Sequence, residues 1–233
     1  MITKTRAIVL GTTRYLGNLI LVKLYSENKG QGMYVHKSSR KNHSAFVPLN
    51  LLEIITEDKD NRSLQKLKET SVLNSFEAIY RNPEKSAIAL FVAELIAKVV
   101  KEEEGNQPLF DFLVHSIEQL NSSESNTKTF HLFFLLELCQ FAGFYPFGNY
   151  TSEDSIFDLR EGRFCSSYPP HPFYLEGTAS ESLGKLKNCF ELNTTLDIHN
   201  SDRRLLLSAL TDYFKLHLPG MADMKSHLVL QEV

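Results

Sequence analysis

Cysteine is scarce: Cys139, Cys165 and Cys189 form no C-x-x-C pair and cannot make a disulfide framework. No stretch approaches the ~18 consecutive apolar residues that a membrane-spanning helix requires. The start, Met1-Ile2-Thr3-Lys4-Thr5-Arg6, runs straight into strand-like Ala7-Ile8-Val9-Leu10. It lacks the apolar region and small-residue cleavage site of a secretory signal. A soluble cytoplasmic protein is the expectation. Chemical signatures are missing too. There is no G-x-x-x-x-G-K-[ST], G-x-G-x-x-G, G-x-S-x-G or H-E-x-x-H. S-x-x-K recurs in unrelated contexts, for example Ser38–Lys41 and Ser182–Lys185, so it carries no catalytic meaning. Cys165 with His171 is half a zinc site at most, and tetrahedral zinc needs four ligands. A phosphoesterase built on His171, Asp158 or Asp197 lacks a visible nucleophile–base pair.

What is present is a 233-residue chain, 42% hydrophobic and 23% charged, enough to bury a core in one or two domains. Its net charge of −3 hides an asymmetry. Residues 1–50 carry eight Lys/Arg against one acid, Glu27, whereas residues 81–233 carry 13 basic and 21 acidic residues. A basic front end on an acidic body suggests an anionic partner for the first 50 residues.

The front end reads as β structure. Runs at 3–10, 19–25, 33–36 and 46–55 are separated by turn residues, with Gly32 as a possible bulge and Pro48 restricting the fourth run. A fifth strand is expected near Ser71–Phe76, because Glu57 to Lys68 is too charged to pack on two sides. Short strands at this spacing suggest a small barrel. After Asn82-Pro83 the period becomes helical, with apolar residues at 88, 91, 92, 95, 96, 99 and 100. Further helices are expected over 108–120, 127–142, 180–189 and 202–217, the last capped by Ser201. A hairpin is expected from Ile156-Phe157-Asp158 and Gly162-Arg163-Phe164-Cys165. Cys139 and Cys189 read as core. The fold class is α+β: a five-stranded oligonucleotide-binding (OB) barrel over 1–80, then a helical domain over 81–233 with a small β-hairpin insertion near 144–178.

Lys37, Arg40 and Lys41, with Ser38 and Ser39, place three cations and two hydroxyls in five residues of a loop. Lys4 and Arg6 share one strand face, as do Lys23 and Tyr25. Tyr15, Tyr25 and Tyr34 add aromatic surface, and His36 and His43 flank the loop. Cations for phosphates and rings for bases are what single-stranded nucleic acid requires, and a five-stranded barrel is an architecture that carries them. The expected phosphate contacts are Arg14, Lys23, Lys37, Arg40 and Lys41. The rival reading is an interaction module whose basic barrel binds an acidic protein tail.

The order of segments resembles the bacterial recombination-repair RecO family. Thr5-Arg6-Ala7-Ile8-Val9-Leu10, Tyr15-Leu16-Gly17-Asn18, the Lys/Ser/Arg loop and Phe46-Val47-Pro48-Leu49 follow its opening. Leu135-Leu136-Glu137-Leu138, Gly143-Phe144-Tyr145-Pro146, Phe157 to Gly162 and Arg203-Arg204-Leu205-Leu206 follow its second half. The resemblance implies a non-catalytic protein that binds single- and double-stranded DNA and anneals complementary strands. With RecR it would help load RecA onto DNA coated with single-strand-binding protein, whose C-terminal tail would dock on the helical domain. Many relatives carry a four-cysteine zinc site around the hairpin. Here Asn149 and Ser152 fall near the first pair, only Cys165 falls at a ligand position, and Tyr168 replaces its partner. No zinc is therefore expected; Phe147, Tyr150, Phe157, Phe164, Tyr168 and Phe173 would hold the hairpin. The family's paired glycines are Gly162-Arg163 here.

Overall fold

The computed structural model describes residues 2–37, 43–57, 64–101, 104–122, 127–221 and 223–232. The chain divides into two compact units, 1–123 and 124–233.

The first unit opens with β1 (Ile2–Arg14), β2 (Leu19–Ser26), β3 (Gly30–Lys37), β4 (Leu51–Glu57) and β5 (Leu64–Asn74). They close into a barrel in the order β1-β2-β3-β5-β4, antiparallel except for β3 with β5. This is the OB fold. Ala7, Val9, Val22, Leu24, Tyr34, Leu52, Ile54 and Leu67 point inward and, with Ala45 and Phe46, fill the barrel. Alternation put these residues on one face of each strand. The register of β3 is regular through Gly32. Its missing Cβ leaves room for the Tyr34 ring, whose Cε2 would lie 2.9 Å from an added methyl. The register shifts fall elsewhere, in β1 between Val9 and Gly11 and along β4 at Leu51/Leu52 and Ile55/Thr56.

Two strand expectations need correction. The fourth strand begins at Leu51; Phe46 closes a 3-10 turn and Pro48 lies outside the ladder, where its missing N–H costs nothing. The fifth strand begins at Leu64, inside the charged run. Along β5 only Leu67 is buried, so its charged side chains keep their water on the outer face.

Three helices complete this unit: α1 (Glu77–Arg81), α2 (Pro83–Val99) and α3 (Gln107–Ser122). Pro83 occupies the first turn of α2, and the Asn82 side chain accepts from the Glu84 and Lys85 N–H groups. Ile88, Phe91, Val92, Leu95 and Ile96 are buried, as the periodicity requires.

The second unit contains α4 (Thr127–Ala142), a small sheet, α5 (Gly177–Glu191), α6 (Asn200–His217) and α7 (Ser226–Glu232). The hairpin β6 (Ile156–Asp158) and β7 (Arg163–Cys165) is joined by β8 (Tyr174–Leu175) on the far side of β6. His199, not Ser201, is the N-cap residue of α6, and the Ser201 hydroxyl contacts Asp202 instead. Cys139 is buried, whereas Cys189 is half-buried with its thiol toward the Thr195 carbonyl. Phe157 and Phe164 meet at 4.9 Å between centroids, and Tyr213 from α6 meets Phe157 at 5.6 Å. Phe147 and Tyr168 stand outside this cluster, exposed. No helix of the described residues is long and apolar enough to cross a membrane.

Candidate nucleic-acid interface

Strand register decides which cations share a surface. On β2, Ile20, Val22 and Leu24 face the interior, so Leu19, Leu21, Lys23 and Tyr25 face outward. Lys37 pairs with Leu19 and Met33 with Lys23, which puts Lys23 and Lys37 on the outer face of β2–β3. Four residues of strand separate their positions by about 13 Å, close to two phosphate spacings. Arg14 pairs with Ile20 and lies on the opposite face, at the exposed end of the β1–β2 hairpin. Arg14 and Lys37 thus mark one end of the barrel from two sides, and Tyr15, 47% exposed, sits in the turn beyond Arg14. Arg40 and Lys41 lie outside the described residues, directly after Lys37 in sequence. Among described groups, no carboxylate pairs with Arg14, Lys23 or Lys37.

Lys23 has a distinctive setting. It lines an open groove of about 260 Å³ between the outer face of β1–β3 and α2, with Leu10, Leu21, Met33, Leu90 and Glu94. Helix α2 therefore covers part of the strand face that OB folds use for oligonucleotides.

Lys4 and Arg6, which looked equivalent in sequence, are committed elsewhere. Lys4 Nζ lies 2.9 Å from Glu53 Oε1. The Arg6 guanidinium makes a fork with Glu27, donating from Nε at 2.9 Å and Nη2 at 2.6 Å, and lies 5.1 Å from the Phe110 ring centroid. The hydrogen bond from Arg6 holds the Glu27 carboxyl below its ordinary pKa, and Glu27 in turn raises that of Arg6. A depressed carboxylate adds stability that is complete above the ordinary Glu range and fades as pH falls through the folded value. Glu27→Gln is expected to cost about 1 kcal/mol at pH 7, since the fork is partly exposed. The gap from the parent protein should narrow in urea titrations as pH falls below the ordinary Glu range; a gap independent of pH would refute the assignment.

The aromatic expectations divide as well. Tyr25 is fully buried and stacks on Phe110 at 6.2 Å, and Tyr34 fills the barrel. Only Tyr15 of the three can meet a ligand. His36 packs edge-on against Phe46 at 4.9 Å, and burial lowers its pKa, so it is a neutral core group. The His43 side chain lies outside the described residues.

Of the second unit's candidate groups, Asp197 is exposed, whereas Asp158, His171 and His131 sit in structural settings. Asp158 Oδ1 accepts from the Arg160 and Glu161 N–H groups at 2.8 and 3.0 Å, closing the hairpin turn, with His171 Nε2 at 3.4 Å. His131 is buried; burial, then the charge of Arg203, pushes its pKa down to about 3 and keeps it neutral. The Cys165 thiol points to the Ser167 carbonyl at 3.3 Å, and Asn149 Oδ1 accepts from Lys187 Nζ at 2.9 Å. No group of three or more His, Cys, Asp or Glu side chains among the described residues is placed to hold a metal.

Comparison with known proteins gives the family. The family profile described as "Recombination protein O N terminal" matches residues 1–76, and "Recombination protein O C terminal" matches residues 80–227. Curated relatives named "DNA repair protein RecO" align over nearly the whole chain. That of Azobacteroides pseudotrichonymphae is 33% identical over 243 residues, covering 100% of this chain and 99% of the relative. That of Bacteroides fragilis is 33% identical over 241 residues, with 100% and 99% covered. That of Flavobacterium psychrophilum is 32% identical over 241 residues, with 99% and 98% covered.

Proposed function

The chain belongs to the RecO family of DNA repair proteins, and from that premise we propose that it binds single- and double-stranded DNA and anneals complementary strands without catalysing a covalent step. The observation that carries the reading is the end of the barrel marked by Arg14 and Lys37, whose charges no described carboxylate neutralises. Cations held there would screen the phosphates of two strands and let complementary bases meet. Lys23 extends the outer face, and Arg40 and Lys41 continue the chain from Lys37. The barrel would hold DNA in the cytoplasm, at the nucleoid. The helical body, acidic overall, would serve protein partners: RecR, and the C-terminal tail of single-strand-binding protein during RecA loading. The reading includes no zinc; aromatic packing of Phe157, Phe164 and Tyr213 would hold the hairpin.

Mixing the full chain with complementary labelled oligonucleotides at 50 mM salt tests it. Duplex formation is expected to accelerate several-fold, with no nucleotide cofactor, and to fall back toward the spontaneous rate as salt rises. No acceleration, together with no retention of the single strand, would overturn the proposal.

A further inference from the structure

Phe147 is the most exposed large hydrophobic side chain among the described residues, at 76%. A single exposed ring is ordinary; one held rigidly is less so. The Phe147 N–H donates to the Gly162 carbonyl at 2.7 Å, and its carbonyl accepts from the Phe164 N–H at 3.1 Å. These bonds clamp it in a parallel bridge with Arg163, the first residue of β7. Pro146 fixes the approach, and Gly148, at φ 76°, turns the chain away. The ring touches no other ring or cation among the described residues. Its bridge partner Arg163 is exposed, and its side chain pairs with no described carboxylate. Bridge partners project to the same side of a sheet about 5 Å apart. The next arginine, Arg160 in the hairpin turn, lies 4.6 Å over the Phe173 ring.

A clamped phenyl ring beside a guanidinium that pairs with no described carboxylate suits a flat group with an anion several ångström away. An unpaired nucleobase with its phosphate has that shape and charge. We propose that Phe147 and Arg163 form a stacking subsite for single-stranded DNA on the second unit, Phe147 taking a base and Arg163 the adjoining phosphate. The subsite deepens the DNA-binding role proposed above and rests on it. It would keep a base unstacked and available to a complementary strand.

The test is fluorescence anisotropy of the full chain with labelled oligo-dT and with a blunt hairpin duplex, across a salt series. Phe147→Ala is expected to weaken oligo-dT binding roughly fivefold to a hundredfold, without changing the salt slope or the duplex affinity. Phe147→Trp should bind at least as well as the parent. Phe147→Leu, which keeps apolar bulk but no ring, should lose most of what alanine loses. Arg163→Gln should lower the log–log salt slope by about 0.7. Unchanged oligo-dT affinity in both the alanine and leucine variants overturns the subsite, as does an equal loss on the duplex. Unchanged DNA affinity with lost binding of a synthetic acidic peptide overturns it in favour of a protein-docking anchor. If the parent chain binds no oligo-dT at low salt, the DNA-binding role and the subsite fall together; if the parent binds and Phe147→Ala matches it, the subsite alone falls.

Discussion

Gly162→Ala is expected to destabilise the second unit by about 2–5 kcal/mol, although the change adds one methyl group. Two costs combine. Gly162 sits at φ 65°, where an L-residue is strained by about 1–2 kcal/mol. Its added Cβ would also lie 2.4 Å from the Tyr213 hydroxyl oxygen. That oxygen cannot simply swing away. Tyr213 is 1% exposed, its ring packs on Phe157 and Phe144, and its hydroxyl donates to the Phe144 carbonyl at 2.6 Å. Forcing a methyl into such a site costs about 1–3 kcal/mol. Gly162 also donates to the Asp158 carbonyl and accepts from Phe147, so a shift there would loosen the hairpin turn as well. Tyr213→Phe alone should cost about 1 kcal/mol for the lost hydrogen bond. In the Gly162→Ala background the same change should be neutral or stabilising, because it removes the atom that clashes. Urea titrations of the four proteins measure the cycle. Additive losses would show that backbone strain alone is responsible, and a Gly162→Ala variant within about 0.5 kcal/mol of the parent would sink the argument.

The second glycine that the resemblance implied after Gly162 is not required by this geometry. Arg163 is already the first residue of β7 and has no positive φ, so a side chain is tolerated and can be put to use.

Elements that announce themselves by a local pattern were legible in the sequence. The buried stripe of α2 follows from its 3.6-residue period, and its start from Asn82-Pro83. The hairpin followed from Ile156-Phe157 and Phe164-Cys165 on either side of the turn that ends at Gly162. Elements decided by distant partners were not. The start of β5 is masked because its charges face outward. α1 is masked because Phe76, its N-cap residue, sits at φ 43° while 2% exposed.

The candidate site shows the same division. Alternation correctly put Lys23 and Tyr25 on one face, but alternation does not say what covers a face. The side chain of Phe110, 85 positions further along, covers Tyr25, and α2 reaches across beside Lys23. Arg6 and Lys4 read as free cations because their partners, Glu27 and Glu53, come from other strands or turns and meet them only when the barrel closes.

That contrast between Lys37 and the committed Arg6 yields the largest functional effect expected. The Lys37→Ala/Arg40→Ala/Lys41→Ala variant should lower the log–log salt slope for single-stranded DNA by about 2, at roughly 0.7 for each phosphate that is no longer neutralised. The same relation sets the affinity change: roughly a hundredfold weaker at 0.1 M salt, shrinking to nothing toward 1 M, where few counterions remain to be released. Arg6→Ala removes the same formal charge as any one of these substitutions, yet should leave the slope unaltered. Its guanidinium already serves Glu27, and the loss should appear as reduced stability instead. Net charge alone would make each single substitution equivalent. A salt slope that falls as much for Arg6→Ala as for Lys37→Ala would therefore mean that the protein's general field, and not this end of the barrel, attracts the DNA. An unchanged slope in the triple variant would remove the loop from the interface and leave Arg14 and Lys23 to account for it.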